Sequence, residues 1–82
     1  MKTNDELFEF LRSLVAELEN MSEKDRADRI RAAAAISSVG TEILMLVRAE
    51  LLALDQSEVA IKPDTSKHVR EAIQGIDREL SR

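Results

Sequence analysis

The chain contains no cysteine, no tryptophan and no tyrosine, and its 82 residues include two glycines, one proline and two phenylalanines. Without cysteine there is neither a disulfide framework nor a thiolate metal site. Phe8 and Phe10 alone leave almost nothing to stack on nucleobases or sugars. So few glycines and prolines leave little room for turns, and few, long elements are expected. The longest charge-free stretch, residues 32–41, falls far short of the ~20 apolar residues that a membrane-spanning helix needs. Positive charge is in deficit: 12 Lys and Arg stand against 16 Asp and Glu, a net charge of −4. Residues 1–20 carry −3 of it, residues 21–54 are balanced, and residues 55–82 carry −1. No segment is basic enough for the footprint of a nucleic-acid binder, so nucleic acid is not expected as a partner. What is present is 44% hydrophobic, too apolar for a disordered chain and enough for one small domain. The polar, acidic opening Met1-Lys2-Thr3-Asn4-Asp5-Glu6 has no apolar run after it of the signal-peptide kind. A soluble, cytoplasmic protein is the expectation.

Thr3 followed by Glu6 has the spacing of a capping box. Beyond it Leu7, Leu11, Leu14, Leu18 and Met21 recur in steps of four and three, which predicts an amphipathic helix over about residues 4–20. Ser22 is the expected N-cap of the next helix, with Glu23 and Asp25 in its first turn. From Glu23 to Leu54 there is no proline and one glycine, and strong helix formers dominate. The pattern predicts one long helix over about 23–54, ~48 Å at 1.5 Å per residue. Two adjacent stripes run along it, one through Ile30, Ala33, Ser37, Gly40, Leu44, Val47, Leu51 and Leu54, the other through Ala32, Ile36, Val39, Ile43 and Leu46. A helix apolar over more than half its circumference is covered from two directions. A linker over 55–66 follows, extended before Pro63. A short last helix over about 67–80 presents Val69, Ile73, Ile76 and Leu80 on one face.

Residues that carry chemistry are few. His68 is the only histidine, flanked at helical spacing by Asp64 and Glu71. Catalytic zinc takes three protein ligands and carboxylate-bridged di-iron sites take paired Glu-x-x-His motifs, so an exposed first-turn histidine is expected instead of a metal site. A triad drawn from Ser66 or Ser81, His68 and Asp77 has no nucleophile elbow or oxyanion loop to support it. Gly40 and Gly75 lie too far apart to cradle a phosphate. Neither catalytic residues nor a cofactor are expected, and the chain does not read as an enzyme. Lys24, Arg26, Arg29 and Arg31 alternate with Glu23, Asp25 and Asp28, which favours a self-paired surface over a phosphate contact. Arg48 and Glu50 fall inside the wide apolar arc. Either they snorkel at its edge, or they pair across a subunit interface or with a target.

The stretch Arg31-Ala32 … Ala35-Ile36, Val39, Ile43, Arg48-x-Glu50 and Leu54 resembles a group of small helical proteins of tailed phages and prophages. The likeness covers residues 31–54 without a gap. It departs from the pattern at Met45-Leu46, where the relatives tend to be polar or small, and it does not extend to the last helix. The resemblance implies a short helical hairpin and a phage-derived setting inside a bacterial host cell.

The expected fold is all-α: a helical hairpin with a long central helix and a short C-terminal helix, assembled as a homo-oligomeric bundle. A compact monomer of this length is ~30 Å across, so a ~48 Å helix overshoots it and needs a second copy. Ala33, Ser37, Val39, Gly40, Ile43, Leu44, Leu46 and Val47 are the expected interface of a homodimer or higher even oligomer. The competing account is that Gly40 breaks the long helix, giving a monomeric four-helix domain. The expected function is a protein–protein interaction module, a phage or prophage accessory protein acting on a bacterial host protein. The alternative is a small dimeric nucleic-acid-binding regulator using the Lys24–Arg31 and Lys67–Arg70 clusters.

Overall fold

The computed structural model describes residues 4–35 and 40–81. Thr3 of the expected capping box lies outside them. Four helices make up the described residues: α1 (Asn4–Asn20), α2 (Lys24–Ala35), α3 (Gly40–Asp55) and α4 (Pro63–Leu80).

The leucine spacing of α1 works as the sequence implies, burying Leu7, Leu11, Leu14 and Leu18 along one face. Ser22, expected to cap the following helix, instead terminates this one. Its φ is 64°, the left-handed region. The Glu23 amide donates to the Leu18 carbonyl at 2.8 Å and the Ser22 amide to that of Glu19 at 3.1 Å, which closes α1 in a Schellman motif. The Glu23 carbonyl then accepts the Ala27 amide, so α2 starts one residue later than Ser22 would have set it.

The single helix expected over 23–54 is corrected to two helices. α2 and α3 are separate and pack against one another, and the whole body measures 35 × 23 × 20 Å, too short for a ~48 Å rod. Ile36, Ser37, Ser38 and Val39, where the chain passes from one to the other, lie outside the described residues. The physical reason lies in the stripes. Folding back lets Ala27, Ile30 and Ala33 of α2 and Leu44, Val47, Leu51 and Leu54 of α3 share one core within the chain. Gly40, where the competing account divides the chain, is the first residue of α3.

After α3 the Ser57 hydroxyl donates to the Leu54 carbonyl at 2.6 Å and accepts the Val59 amide, turning the chain. Val59 and Ile61 pack against the core from the connecting segment. α4 begins at Pro63, four residues before its expected start, because proline fits the first helical position, where its missing N–H is no loss. The expected linker shrinks to residues 56–62. Val69, Ala72 and Ile76 of α4 are buried, with Ile73 and Leu80 packed beside them. Gly75 does not interrupt the helix.

Each helix packs on the next in chain order, and α4 returns to touch α1 lightly. α1 does not meet α3, nor α2 α4, so the four occupy the corners of a bundle with diagonals apart. The radius of gyration, 11.8 Å, matches the ~12 Å of a compact chain of this length. Among the described residues no helix is long and apolar enough to cross a membrane.

Candidate functional site

Three surface features arise where the bundle is incompletely closed. The first is a groove of about 570 Å³ at the light contact between α1 and α4. The helical register of α1 places Glu6, Glu9, Ser13 and Glu17 along it, and α4 contributes Thr65, His68 and Glu71. Phe10 lies in it as well, its ring centroid 6.0 Å from that of His68 at an interplanar angle of 57°, a tilted aromatic contact. Four carboxylates therefore converge on a groove whose lining, among the described residues, contains neither lysine nor arginine. A concave acidic wall concentrates negative potential and draws cationic groups.

Glu17 has a second task at this groove. Its carboxylate accepts the Thr65 hydroxyl at 2.7 Å and the Lys62 backbone amide at 3.2 Å. Lys62 precedes the first turn of α4, and no side chain of α4 caps that end. An acid from α1 thus satisfies an orphan donor and complements the positive end of the α4 dipole.

The second feature is an apolar groove of about 330 Å³ between α1 and α2, lined by Phe8, Leu11, Val15, Ile30, Ala34 and Ala35 with Arg12 and Arg31 beside them. Arg31 is held by Glu19 at 2.8 Å and Asp28 at 2.7 Å. The Glu19 hydrogen bond and charge, helped by Asp28, keep its guanidinium protonated even more firmly than usual. The third is the outward face of α3, where Met45 is 58% and Leu46 37% exposed.

The residues expected to join two copies are divided among different surroundings. Ala33, Leu44 and Val47, expected at an oligomer interface, are buried in the chain's own core, where α2 and α3 cover each other. Gly40 is exposed, and a Cβ built on it would meet nothing within 4 Å, so no close backbone approach among the described residues requires glycine. Ile43 is half-buried against the core and Leu46 remains outward. Ser37 and Val39 lie outside the described residues.

Arg48 donates to Asp77 of α4 at 2.5 Å, a pair within the chain that neither of its two expected readings named. Glu50 is half-buried at the edge of the outward face of α3. His68 is exposed in the first turns of α4. Arg70 lies 3.5 Å from Asp55 across the α3–α4 contact, which takes it out of the basic cluster it forms in the sequence. Among the described residues no group of three or more His, Asp and Glu is arranged to hold a metal ion.

The sequence reading missed the acidic groove. Its α1 half was visible as acids at positions 6, 9 and 17 on one side of the leucine stripe. Its α4 half was not, because nothing local says which helix Thr65 and His68 will face.

The class defined by these observations is a four-helix all-α bundle with an acidic, aromatic-floored groove. Compared with known protein families, curated proteins and solved structures, the chain matches none.

Proposed function

We propose that this chain is a non-enzymatic protein–protein interaction module that docks a basic segment of a partner protein in the α1–α4 groove. In the setting that the phage resemblance implies, the chain is a cytoplasmic accessory protein and the partner a protein of the bacterial host. The observation that carries the reading is the groove itself, where Glu6, Glu9, Glu17 and Glu71 surround Phe10 and His68 with no lysine or arginine among the described residues of the lining. Carboxylates around an aromatic ring suit a lysine or arginine, which gains both ion pairs and attraction to the ring face. The same charge pattern repels nucleic acid, which favours this reading over the regulator.

In-cell photo-crosslinking tests it. A benzophenone side chain at Ser13 should capture a discrete bacterial protein, and the same group at Arg78 should not. The double variant Glu9→Lys, Glu71→Lys should abolish the Ser13 adduct while the fold persists by circular dichroism. Equal capture from both positions, or capture that survives charge reversal, would remove the groove from the account.

A further inference from the structure

We infer that a second copy of this chain is the occupant of the apolar α1–α2 groove, inserting the outward face of its α3. The proposal is independent of the acidic groove and rests on two surfaces that complement one another.

The first surface is a helix face without a cover. At 100° per residue Met45, Leu46, Ala49 and Ala53 fall within one arc of about 100° on α3, entered one turn earlier by Glu42 and pointing away from the core made by Leu44, Val47 and Leu51. A helix apolar on its outer side as well as its inner side is a helix covered twice. Met45 and Leu46, the two exposed large apolar side chains among the described residues, sit side by side there. Glu50 follows Leu46 by one turn at the margin of this face and makes no ion pair among the described residues.

The second surface is the groove. Phe8, Arg12 and Val15 run along its α1 wall at i, i+4 and i+7, an apolar–cationic–apolar series, opposite Ile30 and Ala34 of α2. Arg31 is neutralised by Glu19 and Asp28, whereas Arg12 has no ion-pair partner among the described residues. An apolar trough with one free guanidinium selects an apolar helix face carrying one free carboxylate. Met45 and Leu46 with Glu50 have that composition, and every second copy brings it.

The topology fixes the kind of contact. α1 and α3 stand at opposite corners of the bundle, so the groove and the α3 face look in different directions. A two-fold pair cannot engage both at once. The contact is head-to-tail, propagating from copy to copy until a ring closes or the ends stay open. One helix face in one groove buries less than the roughly 800 Å² per partner of a standard stable complex, so association is weak and concentration-dependent.

Sedimentation velocity over a concentration series tests this with two variants altered only at exposed positions. Leu46→Glu blocks the inserted face and leaves the groove intact. Arg12→Glu with Ala35→Glu blocks the groove and leaves the face intact. The wild-type chain should shift to higher mass with concentration, and each variant alone should weaken that association by at least about tenfold. An equimolar mixture of the two should form a pair and stop there, since one good face meets one good groove. A wild-type chain that stays monomeric throughout would overturn the proposal. So would a groove variant that still self-associates, which is the signature of a two-fold α3–α3 contact, or a mixture that does not pair.

Discussion

At position 22 a serine occupies the left-handed region that costs an L-residue with a Cβ roughly 1 kcal/mol or more. It is held there by the two amide bonds of the Schellman motif, which close α1 and aim α2 back along it. Glycine in its place relieves the steric cost at the price of a looser unfolded chain. The account expects Ser22→Gly to stabilise the protein by about 0.5 kcal/mol or a little more, read as a higher urea midpoint with an unchanged slope. Arg48 illustrates the opposite lesson. Both it and Asp77 are more than a third exposed, so the pair contributes no more than about 1 kcal/mol despite its short distance. Its importance is positional, since it links the outer edge of α3 to α4. Residue types were well read from the sequence where the relevant neighbour is one turn away, as in the leucines of α1. They were poorly read where it is not: Ser22 looks like an N-cap by type, and only the backbone conformation distinguishes the residue that ends one helix from the one that starts the next.

Among elements, α1, α2 and α3 are joined successively by large apolar contacts, whereas α4 meets α1 only lightly. Glu17 spans that junction, and the start of α4 has no capping side chain of its own. Replacing Glu17 by Ala should therefore destabilise the chain by about 1 kcal/mol, the ordinary worth of a helix cap. Glu17→Gln keeps one oxygen to accept the Lys62 amide, and its NH2 can donate to the Thr65 hydroxyl oxygen in place of the bond it loses, so it should lose less. Hydrogen exchange locates the effect: the amides of Lys62 and the first turn of α4 should exchange faster in Glu17→Ala, with the α2 and α3 cores unchanged. A uniform acceleration across all four helices would contradict a local role. Helical character was legible from hydrophobic period, but the division of residues 23–54 into two helices was not. The early start of α4 was hidden because Lys62-Pro63-Asp64 reads equally as an extended segment and as a first turn. The cap that favours the turn arrives from a residue 45 positions earlier.

For the whole molecule, the decisive feature is the return of the chain between α2 and α3. A continuous apolar period across residues 23–54 is compatible with a long helix in an oligomer and with two helices sharing a core. Period and propensity are identical in both, so the sequence left them open. The folded-back arrangement places Ala33, Leu44 and Val47 inside one chain and leaves Met45 and Leu46 outside. It also brings α4 round to α1, which creates the acidic groove on which the proposed function stands. With α2 and α3 as a single rod neither the groove nor the isolated α3 face would exist in this form. The chain has no cysteine, so two introduced cysteines take spin labels without ambiguity. Electron–electron double resonance between labels at Lys24→Cys and Ala53→Cys, both exposed positions, measures the return directly. In dilute solution the account predicts one narrow distance well inside the 35 Å length of the body. A distance near the ~44 Å that a continuous helix sets between these residues would contradict it.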